Sequence, residues 1–288
     1  MTTLRPVRRI VTAHRQREGA GFVVRRPVPT HGLDQVDPFL LIDEMGPMVY
    51  GPDEAIGAPD HPHRGFETVT YVLDGEFEHR DSVGNHGVLR GGDVQWMTAG
   101  AGVVHSEMPT AAFRARGGRM HGFQLWVNLP AAKKWAAPRY QDIPAAQIPE
   151  VSTDDGLARG RIVAGSALGV SAVIETYTPI SLHHWTLASG AKLMLPVPTD
   201  QDVLVYVFAG TLRTGETTVS DGQMAIFGPG DAVALEGPAD DTVAQALLIG
   251  GAPIGEPMVR MGPFVMNTRE ELVQAYRDYQ AGRLGRIT

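Results

Sequence analysis

Two stretches of this chain repeat one pattern. In the first, Tyr71-Val72-Leu73-Asp74-Gly75-Glu76-Phe77 leads to Leu89-Arg90-Gly91-Gly92-Asp93-Val94. In the second, Tyr206-Val207-Phe208-Ala209-Gly210-Thr211-Leu212 leads to Phe227-Gly228-Pro229-Gly230-Asp231-Ala232. Each reads as an apolar strand ending in a glycine turn, a second strand, and a Gly-Asp turn. A long-period repeat of this kind predicts two copies of one β-unit. The 34 glycines and 21 prolines are scattered among short β-rich runs, such as 67–73, 94–97 and 122–127. Short strands with frequent turn signals predict barrels or sandwiches. The expected fold is therefore all-β: two barrels in tandem, with a short C-terminal helix.

That helix is predicted over 268–279. Thr268 offers an N-cap, Glu271 completes a capping box, and Leu272, Val273, Tyr276 and Tyr279 form an apolar stripe read as core packing. The proline-bearing stretch from Pro130 to Pro149 lacks strand alternation and reads as an interdomain linker with one helical turn. The domains expected are 1–135, a linker at 136–149, and 150–288 including the helix. The first 30 residues carry Arg5, Arg8, Arg9, Arg15, Arg17, Arg25 and Arg26 against Glu18. An Arg-rich, acid-poor start can mark a transit peptide, but Phe22-Val23-Val24 and the Arg25-Arg26-Pro27 exit read better as a strand with solvated edges.

Composition removes several classes of function. With no cysteine, disulfides, thiolate zinc sites and cysteine nucleophiles are excluded. A formal net charge of −7 and the lack of a DNA-binding motif argue against direct nucleic-acid binding. No apolar run approaches the ~20 residues of a membrane span. The expectation is a soluble, cytoplasmic monomer.

The chemistry concentrates in His61-Pro62-His63-Arg64-Gly65-Phe66-Glu67 and His105-Ser106-Glu107. Residues i and i+2 of a strand face one way, so two such pairs on neighbouring strands could aim three imidazoles and a carboxylate at one point. Either piece alone could be turn or core histidines; their joint occurrence with the glycine turns favours a site. Nitrogen donors from His61, His63 and His105 and an oxygen from Glu107 suit one divalent first-row transition metal. Three His and one Glu would leave two positions of a six-coordinate metal open for substrate. The second repeat has no such ligands, so a metal is expected in the first copy alone.

These spacings resemble the cupin superfamily, whose first motif is His-x-His, then Glu and Gly, here His61, His63, Glu67 and Gly75. Its second motif normally has Pro where this chain has Gly100, before His105. The longer segments His-Pro-His-Arg-Gly-Phe-Glu-Thr-Val-Thr-Tyr, Gln-Trp-Met-Thr-Ala-Gly-Ala-Gly-Val-Val-His-Ser-Glu, Phe-Gln-Leu-Trp-Val-Asn-Leu-Pro and Gly-Pro-Phe-Val-Met-Asn-Thr resemble the pirin family, from about Asp37 to Gly282. The resemblance implies two jelly-roll-like cupin barrels, the first holding a metal on His61, His63, His105 and Glu107. It implies iron, while mixed His and carboxylate ligation also accepts Mn, Co, Ni, Cu or Zn, and it implies Glu67 outside the ligand set, free to orient a ligand imidazole. It also implies quercetin 2,3-dioxygenase activity, in which a flavonol is opened with O2 and carbon monoxide is released, with Glu107 as the catalytic base. The alternative it carries is a redox-sensing regulator that binds a transcription factor or metabolic enzyme without turnover. Gln124 and Trp126 alternate on a strand and could line the barrel. His121 could be an acid–base group or a strand-edge residue, and Arg64 is expected exposed near the mouth. Met97 reads as barrel packing, and His183 and His184, facing opposite sides, as structural.

Overall fold

The structure, a computed structural model, describes residues 2–287. The chain forms two compact units. One comprises Arg15–Pro29, Pro38–Ala145 and the chain from Ile254 onward; the other comprises the chain up to His14, Thr30–Asp37 and Ala146–Pro253. This differs from a division into an N-terminal and a C-terminal half. The first residues belong with the later repeat, and the C-terminal helix belongs with the earlier one.

Each unit pairs a seven-stranded with a four-stranded antiparallel sheet. In the unit holding the histidines, the central order is Val94–Thr98, Phe66–Asp74, Gly118–Asn128, Phe39–Tyr50. In the other it is Gln223–Phe227, Asp202–Ala209, Ala244–Gly251, Ile180–Leu187. The smaller sheets correspond strand for strand as well: Ala58–His63, Val103–Pro109, Glu76–Asp81, His86–Arg90 against Lys192–Pro196, Ala232–Glu236, Thr211–Thr214, Thr217–Ser220. The repeat read from the two glycine turns is a repeat of whole topology.

The same edge of each large sheet is finished by a segment outside the repeat. Val7–Thr12 pairs with Gln223–Phe227 in one unit, and Arg139–Ile143 pairs with Val94–Thr98 in the other. The expected linker is therefore corrected: it contains a strand in ladder register, flanked by the 3₁₀ turns Ala131–Lys133 and Ala145–Gln147. Covering a sheet edge satisfies a row of backbone donors and acceptors that would otherwise stay open. The strand Phe22–Val28 forms as expected, but its arginines are not solvated. Arg25 pairs with Glu44, and Arg26 pairs with Asp43 and Glu18.

The C-terminal helix, Arg269–Gln280, is capped by Thr268, and the reciprocal bond from Glu271 completes the capping box. Its buried face is shifted from the predicted stripe. Leu272 and Ala275 enter a cluster with Val104, Phe264, Met266 and Leu284, whereas Val273 and Tyr279 are exposed. A small alanine on the inner face lets the helix lie close to the strands Val259–Met261 and Phe264–Met266. Among the described residues, no helix is long and apolar enough to cross a membrane.

Candidate metal centre

His61 and His63 end the strand Ala58–His63, and His105 and Glu107 lie on its antiparallel neighbour Val103–Pro109. In register, His105 stands opposite His61 and Val103 opposite His63. The two-residue side-chain period turns both histidine positions of the first strand to the face that His105 shares. The ligand atoms of the three histidines lie within 4.8 Å of one another, and ring centroids are 4.4–5.0 Å apart. The turn after His63 needs glycine at Gly65: φ is +88°, and a Cβ would sit 1.9 Å from the Val265 carbonyl. The chain leaving the strand with the two candidate ligands can therefore pass directly against the segment Phe264–Met266, where Arg64 bridges Phe264.

The donors are prepared for a metal. His61 Nδ1 lies 2.7 Å from the Pro59 carbonyl. A carbonyl only accepts, so the proton is on Nδ1 and Nε2 keeps its lone pair. His105 is fully buried with neither ring nitrogen hydrogen-bonded, and His63, 3 % exposed, leaves Nδ1 without a partner. Buried polar nitrogens without partners are costly, and a bound cation would satisfy them. Burial, and then the neighbouring imidazoles, push the pKa values of His63 and His105 well below the usual histidine range. Both rings are thus neutral and able to donate at neutral pH. The donor set fits a transition metal.

Glu107 is not gathered into the three-histidine cluster. A bulge separates it from His105 in the pairing with Ala58–His63, so Glu107 stands opposite Ala58. Its Oε1 lies 2.9 Å from Thr70 Oγ1, which is also 2.8 Å from Gln124 Oε1. All three groups lie within one barrel, and Glu107, His61, His63, Gln124 and Trp126 line a cavity of about 360 Å³. That volume is in the range of small-molecule sites. Trp126 packs on Phe66 and His63 at centroid distances of 4.5 and 5.1 Å. Arg26, Asp43 and Glu18 also line the cavity, as an ion-paired group. Gln124 and Trp126 are where the strand alternation allowed. Thr70 was missed, although a threonine in phase with Gln124 on a paired, otherwise apolar strand is the signal that could have found it.

Glu67 lies on the opposite face of the sheet from Thr70. It stands opposite Thr98 and Val127 in the ladders, and the Thr98 hydroxyl donates to it at 2.6 Å. Strand alternation therefore excludes it from orienting a ligand imidazole. His121 is buried against Glu44 at 2.9 Å and does not line the cavity. Arg64 is buried and is not exposed at the mouth. Met97 packs with Ala99 and Val103 in the core.

The other barrel explains its own lack of ligands. Its strands equivalent to the histidine strands carry Leu193, Leu195, Val233 and Leu235, all buried in an aliphatic core. His183 is buried with no partner on either nitrogen, held down to about 4 by burial, while His184 faces Gln245 across the sheet.

Comparison with known proteins agrees with this architecture. Residues 21–127 match the Pirin family model, and residues 182–285 match the Pirin C-terminal cupin domain. The chain is 41% identical to a pirin-like protein of Solanum lycopersicum, over 96% of this chain and 91% of that one. It is 40% identical to Pirin of Mus musculus, over 99% of this chain and 96% of that one. A crystal structure of quercetin 2,3-dioxygenase from Acinetobacter baumannii superposes with a TM-score of 0.91 at 34% identity, covering 99% of this chain and 100% of that one. On these matches, and on its two cupin barrels with one histidine triad, the chain belongs to the pirin family.

Proposed function

We propose that this protein is a metal-dependent dioxygenase that opens quercetin-type flavonols with O2 and releases carbon monoxide. The observation that carries the reading is the meeting of three histidines, two of them with orphaned buried nitrogens, beside a cavity of about 360 Å³ that Glu107 also lines. A purely structural metal site tends to close its coordination sphere and has no need of such a cavity. Likeness to the Acinetobacter baumannii quercetin 2,3-dioxygenase supports the same reading.

In this proposal His61, His63 and His105 hold one divalent metal, iron first, and Glu107 completes the set. The metal would supply Lewis acidity toward the flavonol 3-hydroxyl and a redox partner for O2. Glu107 takes the proton of that hydroxyl. Thr70 makes its movement inexpensive: a hydroxyl has one proton and can serve either Glu107 or Gln124. When the carboxylate turns to its task, the Thr70 hydroxyl keeps its proton and directs its one hydrogen bond to Gln124. Trp126 offers the flat apolar wall against which an aromatic ring can lie.

The test is reconstitution of metal-free protein with Fe(II) under nitrogen, then quercetin and air, following flavonol absorbance and carbon monoxide together. Metal-dependent loss of quercetin with carbon monoxide release is expected. No turnover in protein holding one equivalent of iron would overturn the reading in favour of a redox-sensing regulator.

A further inference from the structure

A second, smaller cavity adjoins the first at Glu107. Its volume is about 30 Å³, and it shares Phe22, Met45, Ala58 and Glu107 with the larger one. Met48, Tyr50, Ile56, Phe77 and Met120 are among the remaining wall residues. Gly57, in the same wall, packs directly on the neighbouring strand: a Cβ there would meet the Glu107 carbonyl at 2.4 Å.

The space is about that of one small molecule, and its chemistry selects which. A buried water needs two to four polar partners. Glu107, Thr70 and Tyr50 are the polar side chains in a wall of thirteen residues, and Glu107 and Thr70 are already bonded to each other at 2.9 Å. A small apolar guest gives up little hydration and gains dispersion contacts with thioethers and aromatic carbon. Apolar cavities in proteins stay dry and accept xenon. One residue of its wall, Met48, is 39 % exposed at the surface. A guest could enter there while a planar substrate fills the larger cavity.

We infer that this methionine-lined pocket is a docking site for a small apolar diatomic molecule, delivered beside Glu107. Its identification as dioxygen rests on the dioxygenase reading above; its affinity for a small apolar guest does not.

Xenon is the probe. Metal-free protein carrying ¹³C-methyl methionine is pressurised with xenon, and the methyl shifts are followed. Saturable shifts of Met45, Met48 and Met120, with Met224 in the other barrel unmoved, are expected. Ile56→Phe, which places a ring in the pocket, should abolish them, and Met48→Phe provides a second filling variant. In iron-loaded protein the same variants should raise KM for O2 about fivefold or more while leaving KM for quercetin unchanged. The pocket is overturned if xenon moves none of the three methyls. The dioxygen assignment is overturned if a folded, xenon-silent variant keeps the parent KM for O2. Turnover without a xenon response would sink the pocket and leave the dioxygenase reading standing. A xenon response without turnover would support the pocket and sink that reading.

Discussion

Arg64 donates to Asp278 at 2.7 Å across 214 residues of sequence. Arg64 directly follows His63 of the triad, its Nε donates to the Ala101 carbonyl at 2.6 Å, and its guanidinium lies 5.1 Å from the centre of the Trp135 ring. Asp278 sits on the C-terminal helix and also accepts from Gln274 and Arg283. The helix is thereby fastened to the end of the strand that presents His61 and His63. Burial raises the Asp278 carboxyl pKa, but Arg64, Arg283 and Gln274 outweigh it and bring it to about 2.

Asp278→Asn should therefore destabilise the protein by about 3 kcal/mol at neutral pH, the scale of breaking a buried pair by removing one partner. The native carboxyl titrates below its unfolded value, so its contribution is complete above about pH 4 and is lost as pH falls toward 2. Urea unfolding of both proteins across this range should show the gap closing. A constant gap down to pH 2 would mean the charge is irrelevant.

His105→Ala removes a fully buried donor from the triad. Metal bound after loading with Fe(II) should fall from about one equivalent to below about a tenth, with circular dichroism unchanged. Full metal retention would place the ion elsewhere.

Glu107→Gln keeps the shape but not the base. Turnover should fall by about 100-fold or more, with metal content reduced much less. Intact turnover would remove Glu107 from the proton transfer.

Thr70→Val deletes the hydroxyl shared by Glu107 and Gln124. We expect kcat/KM to drop about tenfold, the scale of one lost hydrogen bond, with iron still bound and with recovery in Thr70→Ser. If the valine variant matches the parent, Glu107 needs no such support.

Lys134, almost wholly buried, donates to the carbonyls of Gly65 and Val265 and to Asn128 Oδ1. Lys134→Met leaves these acceptors bare and should cost about 3 kcal/mol in chemical denaturation. Burial lowers the ammonium to about 8, against the opposing pull of Glu271 and Glu256. Between about pH 8 and 10.5 the unfolded chain holds more protons, so this group's contribution to stability rises with pH there. An NMR titration of its Cε should show a midpoint near 8; a midpoint near 10.5 would refute the burial argument.

The duplicated barrel and the histidine triad were legible in the sequence because both are written in short-range patterns. Strand alternation, glycine turns and i, i+2 ligand pairs need only local spacing. The capping box at Thr268 and Glu271 is local in the same sense. The environment of Arg64 was not legible, since an arginine looks solvated until Asp278 arrives from the far end of the chain. Nor was the strand Arg139–Ile143, flanked by Pro138 and Pro144, whose polar residues pair only because Val94–Thr98 offers an open edge. The sequence by itself determined which residues could bind a metal and on which repeat. The tertiary structure decided how they are placed: the three histidines cluster closely, Glu107 follows a bulge and lines the same cavity as His61 and His63, and Glu67 faces away because its strand position is out of phase with Thr70. Register and bulges arise from pairing between distant strands, and that pairing is not encoded within either strand alone.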